Sequence, residues 1–240
     1  MAPLTLPPVA VALPGTGSDA DFAARAFTAA LSQAGVRVIA VDPDPRRVVD
    51  SYWDALNAAA ARHHRILAAG ISIGAAVALD WAAQHPGSAA GVLAALPAWT
   101  GDPRDAPAAA SAAFTAQRLR ADGLEAVIEE MVASSPGWLG IELARSWRSQ
   151  WPHLPRALDE AARYDALTED RLAGTPVPVG ICAAVDDAVH PIAVARQWVG
   201  VLPHAALETV TLDDVGADPA ALGRGCLAAL ARQPSQPQTV

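Results

Sequence analysis

Short apolar runs alternate with amphipathic stretches along most of the chain, and that rhythm leaves few folds open. Residues 8–13 (PVAVAL), 36–42 (VRVIAVD), 65–69, 90–98 (AGVLAALPA), 177–185 (VPVGICAAV) and 206–212 (ALETVTL) read as strands. Helical patterns lie between them, over about 19–33, 47–63, 73–84, 191–201 and 219–232. Asp19 or Asp21 is placed to cap the first helix and Gly35 to stop it. Strands that are apolar on both faces and separated by helices imply a buried parallel sheet. Right-handed crossovers then put helices on both of its faces. The expected class is α/β, with a parallel sheet of about six strands.

The rhythm stops between residues 101 and 165. Four helix-like pieces follow one another there without a strand, at about 106–121, 124–134, 138–150 and 155–164. Gly123, Ser135-Pro136-Gly137 and Trp151-Pro152 separate them. This predicts an inserted helical lid over 101–165, a core made of 1–100 and 166–233, and a disordered tail at 234–240. At 240 residues, with 52% hydrophobic and 18% charged residues, the chain can bury a core without a metal or disulfide staple. Net charge is −8, all 17 basic residues are arginine, and no basic stripe exists, so nucleic acid is not an expected partner. No apolar run approaches the ~20 residues that span a bilayer. The opening MAPLTLPPVAVALPG lacks a basic n-region and reads as lead-in plus first strand. The expectation is a cytoplasmic protein with no membrane contact. Cys182 and Cys226 read as buried thiols, and no CxxC or Cys/His cluster suggests a metal. No cofactor is expected.

The chemical signal is Gly70-Ile71-Ser72-Ile73-Gly74, set between a strand and a helix. A serine on so sharp a turn needs glycine at −2 and +2 to let neighbouring backbone pass. The turn lifts Oγ above the carboxyl edge of the sheet, at a helix N-terminus that favours an oxyanion. A second glycine-rich loop, Leu13-Pro14-Gly15-Thr16-Gly17-Ser18, follows the first strand. It lacks both GxGxxG spacing and a P-loop lysine, which argues against phosphate cradling.

From strand order, this elbow, this loop, the helical segment and the turn Val185-Asp186-Asp187-Ala188-Val189-His190-Pro191, residues 8–233 resemble the α/β-hydrolase superfamily. The resemblance implies a nucleophile at Ser72 and an oxyanion hole from the backbone N–H groups of Thr16 and Ile73. It implies the acid at Asp187, with Asp186 as the adjacent candidate and Asp102 as the alternative position. It departs from the family at the base. The family histidine follows the last strand, but residues 212–219 (LDDVGADP) contain none, and Ala217 stands where it belongs. A serine without a base is a poor nucleophile.

Six histidines remain as substitutes. His85 is expected to be exposed, His204 faces the edge away from the loops, and His63 and His64 close a helix. His190, on the acid turn, and His153, in the helical segment, are the two that can reach the carboxyl edge. Trp99, Trp138, Trp147 and Trp151 either pack the segment onto the sheet or form an apolar wall around a substrate. Trp99 and His153 are the candidate substrate contacts. Glu129, Glu130 and Glu142 read as solvated faces. Three functions follow. One is a serine hydrolase for a small ester or thioester with an apolar acyl part. The others are a non-catalytic relative that binds an apolar ligand or partner, and a lyase or cyclase on the same fold. Nothing in the sequence sets the oligomeric state.

Overall fold

The computed structural model describes residues 6–232. Six strands form one sheet in the order β2-β1-β3-β4-β5-β6, and every neighbouring pair is parallel. They are β1 (Val9–Leu13), β2 (Arg37–Ala40), β3 (Ile66–Ile71), β4 (Ala89–Ala95), β5 (Val179–Ala184) and β6 (Ala205–Val210). Side chains alternate between the faces with period two. Val9, Val11 and Leu13 of β1 join Ile66, Ala68, Ile181 and Ala183 in one core cluster, packed under α2 (Val48–His63), α3 (Ile73–Gln84) and α9 (Ile192–Val201). Ala10 and Ala12 join Leu67, Ala69, Cys182 and Ala184 in a second, covered by α1 (Ala20–Gln33) and α11 (Ala220–Ala231). The high alanine content lets helices approach this sheet closely. Gly180 shows the limit: a Cβ there would lie 2.0 Å from the Cys226 carbonyl oxygen of α11.

Between β4 and β5 the chain runs through α4 (Pro107–Asp122), α5 (Leu124–Ser134), α6 (Gly137–Gln150), α7 (Leu154–Ala162) and the short α8 (Glu169–Ala173). The first four match the four helical pieces of the sequence, and α4 to α7 share a small core of their own around Ala116, Leu119, Trp147, Leu154 and Leu158. Glu160 of α7 accepts the Val48 and Val49 amides at 2.9 Å each, capping α2 and fixing this insertion to the sheet layer. Trp99 is 5% exposed in the first core cluster, and its Nε1 donates to the Tyr164 carbonyl at 3.0 Å. It braces the two ends of the insertion by packing into the core.

Two elements were not foreseen. One is α8. The other is α10 (Leu212–Ala217), which lies between the last strand and the last helix read from the sequence. A capping box makes it helical: Thr211 Oγ1 accepts the Asp214 amide while the Asp214 carboxylate accepts the Thr211 amide. The expected disorder of 234–240 falls outside the described residues. Among the described residues no helix is long and apolar enough to cross a membrane.

Candidate active site

The strand order reverses direction between β1 and β3, and in open α/β sheets ligands bind at the carboxyl edge of such a switch point. The loop after β1 and the turn after β3 therefore stand side by side. Ser72 takes φ 54° and ψ −117°, a conformation that costs a non-glycine residue about 1–3 kcal/mol and persists only where packing enforces it. Packing does so here. A Cβ on Gly70 would lie 2.2 Å from Gly74 backbone atoms, and one on Gly74 would lie 2.5 Å from the Leu13 carbonyl oxygen. Both glycines are required by close backbone approach. Leu96, one residue past β4, is a second strained position at φ 49°. The Ser72 amide donates to Ala95 O at 3.0 Å, so the two strained residues end neighbouring strands. Nothing in the sequence marks Leu96.

Ser72 is 7% exposed, and its Oγ lies 2.9 Å from His190 Nε2. His190 Nδ1 lies 2.8 Å from Asp187 Oδ2. The same carboxylate organises its own turn, because Asp187 Oδ1 accepts the amides of Val189 at 2.8 Å and His190 at 3.0 Å. Burial raises the Asp187 pKa. Hydrogen bonds from the His190 ring and from the two amides, with the imidazole charge, outweigh it and hold the carboxyl below the usual aspartate value. In the neutral His190 ring, an ionised Asp187 favours the tautomer with the proton on Nδ1, which leaves Nε2 as the acceptor facing Ser72.

The other candidates go elsewhere. Asp102 is engaged by Arg104 at the surface, at 2.7 Å. Asp186 Oδ1 accepts the Leu212 amide at 2.9 Å, tying the acid turn to α10. His153 precedes α7 and its backbone carbonyl starts that helix, while the contact to Ser72 Oγ belongs to His190. His85 is half-buried, not exposed, because it stacks on Trp81 with ring centroids 5.1 Å apart. Glu142 is not a solvated face; it pairs with Arg25 and Arg145. One residue before Ala217, where the family's histidine is expected, α10 turns Gly216 against Trp138, and a Cβ on Gly216 would meet Trp138 Cδ1 at 2.3 Å. Trp138 also stacks on Phe22, with ring centroids 6.2 Å apart.

The loop after β1 turns through Gly15 to Ser18, closed by Ser18 N–H donating to Gly15 O at 3.0 Å, with Gly17 at the positive φ of 70° that this turn position favours. A Cβ on Gly15 would lie 3.5 Å from Ser72 Cβ, which puts Thr16 and the elbow next to each other. Ile73 is the first residue of α3, so its amide has no carbonyl in its own helix to bond. Tyr52 is wholly buried and donates to Pro14 O at 2.9 Å, holding the loop from the sheet side. Burial and the negative Glu160 raise its pKa well above the ordinary phenol value. Sequence reasoning missed Tyr52, which is separated from Pro14 by 38 positions. Among the described residues no cluster of three His, Cys, Asp or Glu side chains is placed to hold a metal.

No family model and no curated protein matches the sequence. Solved structures do match in three dimensions. An α/β hydrolase from a Medee basin deep-sea metagenome library is 16% identical with a TM-score of 0.71, over 97% of this chain and 92% of that one. A hydrolase from Oleispira antarctica is 13% identical with a TM-score of 0.68, over 85% and 82%. A thermophilic esterase from Thermogutta terrifontis is 18% identical with a TM-score of 0.64, over 87% and 82%. By strand order and helix placement, the chain has the fold of the α/β-hydrolase superfamily.

Proposed function

We propose that the chain is a serine hydrolase acting on a small ester or thioester with an apolar acyl part. The observation that carries this is the relay Ser72 Oγ, His190 Nε2, His190 Nδ1, Asp187 Oδ2, with links of 2.9 and 2.8 Å. Its base comes from the acid turn itself, three residues after the acid. Similarity to solved hydrolases and an esterase supports the reaction class.

In this reading Ser72 Oγ attacks the acyl carbonyl carbon while its proton passes to His190 Nε2. Asp187 stabilises the resulting imidazolium and keeps the ring oriented. The Thr16 and Ile73 amides take the oxyanion, each contributing about 10²–10³ in rate. The carbonyl re-forms as the C–O or C–S bond breaks, and His190 returns the proton to the leaving alcohol or thiol. A water, deprotonated by His190, then cleaves the acyl-Ser72 ester. Val185 and Val189 lie on the acid turn at 52% and 40% exposure, which suits an apolar acyl chain beside the relay.

The test is hydrolysis of p-nitrophenyl butyrate and butyryl-thiocholine by wild type and Ser72→Ala. The reading requires turnover that falls about 10³-fold or more on removal of the hydroxyl. Equal rates for the two proteins would leave a non-catalytic binder of apolar ligands.

A further inference from the structure

Aside from aromatic residues and cysteines, four polar residues are buried among the described residues: Ser72, Ser146, Gln150 and Thr175. Ser72 is the proposed nucleophile, and Thr175 Oγ1 closes a helix end by donating to Arg171 O at 2.9 Å. The other two sit one turn apart on α6, and the carboxamide of Gln150 reaches out of the insertion. Its Nε2 lies 2.9 Å from Ser18 O and 2.9 Å from Ser146 Oγ. Ser18 closes the turn that contains Thr16.

The rest of α6 grips the same loop. Trp147 packs its Nε1 side against Gly17, where a Cβ would come within 2.7 Å of that nitrogen. Arg145 reaches Asp19 at 2.8 and 3.0 Å and Asp21 at 2.9 Å, and Asp19 caps α1 directly after the loop. The segment Pro14 to Asp19 is therefore held at its start by Tyr52 and at its end by α6. Thr16 lies between the two anchors. The Thr16 N–H is antiparallel to the Gly15 carbonyl of the same planar peptide unit, and that carbonyl accepts the Ser18 amide at 3.0 Å, so holding the loop at Pro14 and Ser18 fixes the direction of the Thr16 N–H.

We infer that α6 positions the oxyanion loop, with Gln150 as the positioning residue that couples the helical insertion to the reaction at Ser72. The inference rests on the serine-hydrolase reading and assigns the insertion a role in it. Gln150 does not touch substrate; it acts through Ser18. Its loss lowers kcat and leaves KM nearly unchanged, since an oxyanion donor works mainly in the transition state.

The experiment compares wild type with Gln150→Met, which keeps the volume but cannot donate, and with Arg145→Ala, an exposed change that cannot empty a core. Each folded protein is assayed on p-nitrophenyl butyrate, and amide hydrogen exchange is followed for peptides covering 14–19 and 66–84. Gln150→Met is expected to lower kcat about tenfold or more with KM within about threefold, part of the effect of deleting an oxyanion donor. Exchange in 14–19 is expected to rise while 66–84 stays as in wild type, with a smaller rise in Arg145→Ala. Unchanged exchange in 14–19 in both variants overturns the inference whether or not the protein is active. Faster exchange with unchanged kcat, in a protein whose turnover needs Ser72, also overturns it. A wild type without Ser72-dependent turnover refutes the hydrolase reading instead, and the exchange data then still decide whether α6 holds the loop.

Discussion

Replacing Asp187 by asparagine inverts the proton on His190 without dismantling the turn. Asp187 Oδ1 accepts two backbone amides, from Val189 at 2.8 Å and His190 at 3.0 Å. An asparagine must keep its carbonyl oxygen there, because an NH₂ group would face two donors. The NH₂ then occupies the Oδ2 position, 2.8 Å from His190 Nδ1. Nδ1 is forced to accept, the ring proton moves to Nε2, and Nε2 donates to Ser72 Oγ instead of taking its proton. In a triad this tautomer error lowers turnover about 10⁴-fold. Asp187→Ala loses the turn bonds as well, and at about 1.5 kcal/mol each for two charge-assisted bonds that is about 3 kcal/mol. For a chain of this size the melting temperature then falls by roughly 6–12 °C. The assay pairs p-nitrophenyl butyrate turnover at neutral pH with thermal melts. The asparagine variant is expected to melt close to wild type and be nearly inactive, and the alanine variant to be both inactive and less stable. An asparagine variant that keeps more than about a tenth of wild-type turnover would refute the orientation argument.

Other outcomes follow from the same geometry. Gly74→Ala sets a Cβ against the Leu13 and Pro14 carbonyls at 2.5 and 2.7 Å, and backbone on both sides cannot yield. The expected cost is about 3 kcal/mol, read as a fall of roughly 6–12 °C in a thermal melt, and an unchanged melting temperature would show that the elbow does not lie on the first loop. Asp187 also shapes acid stability. Its folded pKa lies below the unfolded value of about 3.9, so its stabilisation is complete above about pH 5 and is lost as pH falls through the folded pKa. Denaturant titrations should therefore show the stability gap between wild type and Asp187→Ala shrinking below about pH 4; a gap that widens there contradicts the direction of the shift.

Most of the sheet was legible because apolar strands buried on both faces carry their signal in five or six consecutive residues. The elbow was legible for a similar reason: two glycines flanking one serine state a backbone requirement in five positions. The family resemblance pointed to Asp187 as the acid, on the turn that leads to Pro191 and α9. The base could only be narrowed to His190 and His153, because whether an imidazole three residues past the acid turns back to the serine depends on the turn conformation. That conformation is fixed by Asp187 Oδ1 and its two amides, which no residue pattern displays. α10 was missed because it is only six residues long and contains a glycine, too short to show a helical period, although Thr211 and Asp214 stand at capping-box spacing. Tyr52 and Gln150 were out of reach for a plainer reason: each meets the loop across 38 and 132 positions.

The central claim is that His190, from the acid turn, activates Ser72. A fluorophosphonate probe followed by intact mass and peptide mapping tests it directly, since phosphonylation needs the serine proton removed. Wild type and His153→Ala should each gain one adduct on Ser72, at similar rates, while Ser72→Ala gains none and His190→Ala reacts about 10³-fold more slowly or not at all. Undiminished labelling of Ser72 in His190→Ala, or labelling that fails instead in His153→Ala, would contradict the account.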